Sequence, residues 1–286
     1  MSHIVACIDG SAIATSVCQA AAWVSQRLQA PLRLLHVLER DTSHQDNLSG
    51  SIGLGAREHL LRQLTELDEQ RARLALEHGK HILADAEQLV AEHGAEQIET
   101  LQRHGGVVET LLEQQADTRV LVMGRQGEAH DTLNPTLDHT LGSHLEAVVR
   151  GCDSPLLVTV GEFKTPERFM VAFDGSDTAQ KALDAYSQSP LLKDLPCHLV
   201  MVGHDDDAHQ QQLQSAAQQL REQGFDVTVA HLHGEVQPAL AQYQQEHSID
   251  LMVMGAYGHS RIRQFFVGSH TRKMVSQSDI PLLLLR

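Results

Sequence analysis

The stretch LMVMGAYGHSRIRQFFVGSHTRKMV, residues 251–275, decides the fold. Its first residues are an apolar run that reads as a buried strand. Gly255 and Gly258 follow as a turn, and Gly268-Ser269 open a segment that reads as a helix with Ser269 as its N-cap. The spacing is Gly-x2-Gly-x9-Gly-Ser. A strand that feeds a glycine turn, a loop and then a helix N-terminus makes a phosphate cradle. Glycines admit backbone N–H groups to an anion, and the helix end adds a positive partial charge. Neither common phosphate signature is present: there is no G-x-x-x-x-G-K-[ST], and no G-x-G-x-x-G after a first strand.

Working outward, the chain repeats itself. The 286 residues suggest two domains. HIVACIDGSAIATSVCQAAAWV near the start matches FMVAFDGSDTAQKALDAYS, so Asp9-Gly10-Ser11 aligns with Asp174-Gly175-Ser176. LRLLHV ends at Val37 as HLVMV ends at Val202. RHGGVVETLLEQQADTRVLVMGRQG matches LHGEVQPALAQYQQEHSIDLMVMGAYG, and LGSHLEAVVRGCDSPLLVTV matches VGSHTRKMVSQSDIPLLLLR. A repeat this long means two copies of one fold, since solenoid repeats are shorter. VGEFKTPERF, with Gly161 and Pro166, reads as the linker. The domains are therefore expected at 1–160 and 161–286.

Each copy alternates strands with helical stretches, which predicts a parallel α/β sheet. The runs VLVMG, LMVMG and LLVTV are short and rich in Val, Leu and Met, as suits strands buried on both faces. The fold class expected is α/β: two tandem domains, each an open five-stranded parallel sheet flanked by helices. Ligands of such sheets bind beyond the carboxyl ends of the strands, where the Asp9 and Asp174 turns, the Val37 and Val202 ends and the glycine turns all fall. The first half carries an insertion of about 35 residues after its second strand. GSIGLGA reads as a flexible opener, and a long amphipathic helical stretch follows with Leu60, Leu61, Leu64, Leu67, Leu74, Ile82, Leu83 and Leu89. It reads as a longer packing helix over the sheet, with a lid or partner surface as the alternative.

The glycine spacing, the strand ending in Asp174 with a Ser-bearing turn, and the last strand after Pro281 resemble the universal stress protein family. The resemblance covers 168–286 well and 1–160 more loosely, and describes a tandem two-domain member. It implies an adenine nucleotide alpha hydrolase-like fold that binds ATP, with Asp174 beside the adenosine and Val202 at the adenine edge. It also implies that Gly255, Gly258, Gly268 and Ser269 hold ribose and phosphates, with a divalent metal accompanying the nucleotide. Arg261 and Arg263, in the loop between, read as solvated charges, with phosphate pairing as the alternative. The family pairs through its last strands, so LLVTV and LLLLR are expected to pair as an intramolecular pseudo-dimer; a homodimer of chains is a further option. The function implied is ATP binding in stress response or regulation. The alternatives are a nucleotide-independent partner-binding stress protein and a slow ATP hydrolase. No residue is assigned to catalysis.

The first half departs from the pattern. Its counterparts are Asp9, Val37, Gly124, Gly127, Gly142 and Ser143, but fourteen residues separate Gly127 from Gly142. That loop holds Glu128, Asp131, Asp138 and Pro135. Carboxylates near a phosphate repel it, and proline removes a backbone donor. A weaker first-domain site is the expectation.

Net charge is −15 and aromatics make up 3%, which argue against a nucleic-acid partner and an anionic membrane surface. No stretch reaches the length of a membrane span, and MSHIVACID leads directly into a strand, so a cytoplasmic location is expected. Cys7, Cys18, Cys152 and Cys197 form no C-x-x-C pair and read as reduced thiols. Among nineteen histidines, the pairs His231/His233 and His78/His81 lack a third ligand nearby in sequence, so no metal site is expected from protein residues alone.

Overall fold

A computed structural model of the chain describes residues 2–39, 54–127, 143–203, 206–255 and 269–285. Of residues 54–61, 143 and 269–272 it describes only the helical backbone. The first half runs β1 (His3–Cys7), α1 (Ala14–Leu28), β2 (Leu32–Leu38), α2 (Leu54–Glu92), β3 (Ile98–His104), α3 (Val107–Gln114), β4 (Thr118–Gly124), α4 (Ser143–Gly151) and β5 (Leu156–Thr159). The second half repeats this order with β6 (Phe169–Ala172), α5 (Asp177–Ser187), β7 (Cys197–Val202), α6 (Asp207–Glu222), β8 (Val227–Leu232), α7 (Val236–Glu246), β9 (Leu251–Gly255), α8 (Ser269–Gln277) and β10 (Leu282–Leu285).

The ten strands form one sheet in the order β3-β2-β1-β4-β5-β10-β9-β6-β7-β8. Within each half every pairing is parallel. The halves meet where β5 and β10 pair antiparallel, with Leu157 opposite Leu283 and Leu156 opposite Leu284. The two expected five-stranded sheets are thus one continuous sheet, joined through the last strands. The physical reason is that LLVT and LLLL are buried on both faces and leave no polar edge to cover. Successive residues feed two cores: Ile4, Ala6, Leu157 and Leu283 face α1, α2, α5 and α6, while Val5, Leu156 and Leu284 face α3, α4, α7 and α8.

The linker is fastened to the first half. Ser16 Oγ donates to the carbonyl of Gly161 at 2.6 Å and accepts from the Phe163 N–H at 3.2 Å, and Phe163 packs 6.0 Å from Trp23. Arg27, in the last turn of α1, donates to the carbonyls of Leu191 and Lys193 across the halves. α2 begins at Leu54, so the final residues of the expected flexible opener are its first turn, and 50–53 lie outside the described residues. Gly79 lets α2 cross close over the sheet, because a Cβ there would stand 2.7 Å from His36 Cδ2.

Candidate functional site

In each half the chain turns in opposite directions from a central strand. β1 has β2 on one side and β4 on the other, and β6 has β7 and β9. Connections that leave in opposite directions open a crevice at the carboxyl ends of those central pairs, where ligands of open α/β sheets bind. Asp9 and Gly124 border the first crevice; Asp174 and Gly255 border the second. Because β5 and β10 are antiparallel, the two carboxyl rims emerge on opposite sides of the seam.

In the second half, β6 ends at Ala172 and Asp174 sits two residues beyond it, exposed. Its Oδ1 accepts the Ser176 N–H at 3.0 Å. Ser176, not Asp174, caps α5, its hydroxyl accepting from the Ala179 N–H at 3.2 Å. A carboxylate offers about four acceptor positions, so the turn leaves Asp174 capacity for a donor in the crevice. Gly175 has φ +73°, a left-handed conformation that favours glycine. Val202 closes β7 and its side chain packs partly buried against the core, while a Cβ on the next residue, Gly203, would meet nothing within 4 Å. That leaves open space at the strand end.

Gly255 has a packing role of its own. A Cβ there would stand 3.2 Å from Thr178 Cγ2 and 3.3 Å from the Ala179 nitrogen. The missing side chain therefore lets β9 approach the first turn of α5, and tight packing accounts for this glycine without a ligand. α8 starts at Ser269. Gly258, Gly268, Arg261 and Arg263 lie outside the described residues.

In the first half, Asp9 Oδ1 accepts the Ser11 N–H at 3.1 Å and also the Ser11 hydroxyl. Its Oδ2 lies 2.9 Å from where a Cβ on Gly127 would stand, so the Asp9 turn and the glycine turn do converge. Gly124 is packed more tightly than Gly255, with a Cβ falling 2.5 Å from Ile13 Cγ2. Val37 is partly buried, one residue before the end of β2. Gly142 and the acidic loop lie outside the described residues, and α4 starts at Ser143.

One first-half residue escaped the sequence reading. Glu39 follows β2 and its Oε1 lies 3.4 Å from His144 Nε2, in the first turn of α4. The same oxygen accepts the Val107 N–H at the start of α3, at 3.3 Å. A carboxylate already stands at two helix N-termini of this rim, where an incoming phosphate would meet like charge. The signal was in the repeat: Glu39 aligns with His204 once Val37 is set against Val202. Nearby, the Cys7 thiol is pushed up to about 12, by burial first and then by the Asp9 and Glu39 carboxylates, so it is no nucleophile at neutral pH.

Arg125, inside the first-half glycine turn and 8% exposed, reaches across the seam. Its Nη1 donates to the Ser278 carbonyl at 2.6 Å and the Ser276 carbonyl at 3.4 Å, at the C-terminal end of α8. His231 and His233 stack with ring centroids 5.7 Å apart. Among the described residues no group of three His, Cys, Asp or Glu side chains could hold a metal ion, and no helix is long and apolar enough to cross a membrane.

A doubly wound sheet built twice, with an acid turn at each switch point, defines a tandem α/β protein. The model of the universal stress protein family matches residues 1–159 and 166–286, and the chain belongs to that family. Universal stress protein Slr1230 of Synechocystis sp. is 35% identical over the full length of both chains. The crystal structure of a universal stress protein from Archaeoglobus fulgidus superposes with a TM-score of 0.73 at 17% identity, covering 99% of this chain and 98% of its own. A universal stress protein solved in complex with cAMP covers 43% of this chain and 98% of its own, at 22% identity and a TM-score of 0.37.

Proposed function

We propose that this tandem universal stress protein binds ATP in its second domain and acts as a stress-response or regulatory protein, with domains at 1–160 and 161–286. The proposed site comprises Asp174, Val202, Gly255, Gly258, Gly268 and Ser269. The observation that carries the reading is the crevice between β6 and β9. An exposed carboxylate with acceptor capacity borders it, open space lies beyond Gly203, and the glycine spacing in the sequence leads from Gly255 to the N-terminus of α8. Asp174 would accept from a ribose hydroxyl or an adenine amino group, and the α8 N-terminus would receive phosphate. Among the described residues no metal cluster stands ready, so a divalent ion would arrive with the nucleotide. No general base is assigned opposite the glycine turn, so hydrolysis is slow at most. The first-domain residues Asp9, Val37, Gly124, Gly127, Gly142 and Ser143 form a weaker site, because Glu39 stands at the rim. Replacing Gly268 with Val tests the assignment: calorimetric titration should show a loss of ATP affinity in a folded variant, and unchanged affinity would refute it.

A further inference from the structure

α8 is held by the other half of the chain, and at the end remote from the proposed phosphate site. It has 9 residues, Ser269–Gln277, which span about 13 Å at 1.5 Å per residue. Met274 and Val275 are buried and seat it on the sheet. Arg125 takes carbonyls at its C-terminal end, Ser278 at 2.6 Å and Ser276 at 3.4 Å. The arginine is itself fixed at its root. Its N–H donates to the Thr159 carbonyl on β5 at 3.0 Å, and the residue is buried. The sheet of the first half thus sets the axial position of a helix of the second.

The grip runs one way. VLVMGRQG of the first half aligns with LMVMGAYG of the second, so Arg125 stands where the second half has Ala256. Alanine has no side-chain donor, so α4 receives no such grip from the matching position. A helix of about two and a half turns is stiff along its axis. Where its last carbonyls are held fixes where its first N–H groups stand. An anion reads those groups at hydrogen-bond distance, so their depth in the crevice decides how well it is held.

We infer that Arg125 is a positioning residue for the second-half site: from the first half, it holds α8 at the depth at which the helix N-terminus receives phosphate. The inference rests on the reading of the second-half crevice as an ATP site. It concerns the phosphate end alone, because Asp174 and Val202 stand on other elements.

Calorimetric titration of the full chain with ATP and with adenosine tests this, with affinities taken per folded molecule. Arg125→Met should weaken ATP binding by the second half at least about tenfold and leave adenosine binding within about twofold of wild type. Arg125→Lys keeps the charge without the planar fork. It should show the same split to a lesser degree, and it carries the test if the Met variant does not fold. Arg27→Met is the control. It cuts a different tether between the halves, to the carbonyls of Leu191 and Lys193, so it should lower the thermal midpoint with both affinities unchanged. Unchanged ATP affinity in the Arg125 variants, an equal loss for adenosine and ATP, or the same loss in Arg27→Met overturns the inference and leaves the ATP reading standing. A wild-type chain that binds no ATP overturns that reading, and the inference with it.

Discussion

Replacing Arg125 with Met should loosen the chain at the seam between its halves. Arg125 belongs to the first-half glycine turn, yet its guanidinium serves the second half, donating to the carbonyls of Ser278 at 2.6 Å and Ser276 at 3.4 Å. The shorter bond is charge-assisted and contributes about 1.5–3 kcal/mol, whereas the longer one adds little. A cation at a partly buried helix C-terminus contributes up to about 2 kcal/mol, and the two figures describe overlapping interactions. A loss of roughly 2–4 kcal/mol follows. At about 2–4 °C per kcal/mol for a chain somewhat smaller than this one, the thermal midpoint should fall by roughly 5–15 °C. Arg125→Lys should recover part of it, since an ammonium keeps the charge but not the planar fork. Scanning calorimetry and urea denaturation both read this. A Met variant within about 0.5 kcal/mol of wild type would show that the contact contributes nothing.

The two strand-end glycines should differ. Gly124→Ala drives a Cβ to 2.5 Å from Ile13 Cγ2 and 3.0 Å from the Gln126 carbonyl, and should cost about 1–3 kcal/mol by urea denaturation, with Gly255→Ala costing less. The reverse order would contradict the packing. Asp174→Ala should lower stability by about 0.5–1.5 kcal/mol through the lost Ser176 bond and weaken ATP binding by about 1–3 kcal/mol. A stability change with unchanged ATP affinity would make Asp174 a turn residue only. His198 donates to or accepts from Tyr243 Oη at 2.9 Å, and its pKa is held below 6.5 by burial, then by His247 and Arg168, against an opposing effect of Asp226. The unfolded chain therefore binds more protons just below pH 6.5, so stability contributed by neutral His198 is full above that value and lost as pH falls. His198→Gln should flatten the fall of the thermal midpoint in that window, and an unchanged slope would remove His198 from the account.

Much of this architecture is legible in the sequence because period and punctuation are local. The apolar runs, the Asp-Gly-Ser turns and the glycine spacing place nearly every strand end. The pairing of LLVTV with LLLLR was likewise expected from the resemblance, and β5 and β10 do pair. The strand order was not read, since it depends on which way each helix crosses over. The role of Gly255 against Thr178 could not be read either, because a glycine admits a ligand and a neighbouring helix by the same means. Glu39 carries no local signal, because its partners are distant in the chain. Its effect comes from standing beside His144, more than a hundred residues away in the chain. Phe163 sits in a segment that reads as a linker, and only the structure shows it packed on Trp23.

The asymmetry between the halves is the most exposed point of the account. Both carry an acid turn and a glycine at the end of the neighbouring strand, but the first also has Glu39 at the helix N-termini and a fourteen-residue loop where the second has nine. Isothermal titration of the intact chain with ATP reads this directly. The account predicts one strong site per chain, with first-half binding weaker or absent. It also predicts that shortening the Gly127–Gly142 loop to nine residues together with Glu39→Gln strengthens first-half binding. No ATP binding at all, or two sites of similar affinity in the unaltered chain, would contradict it.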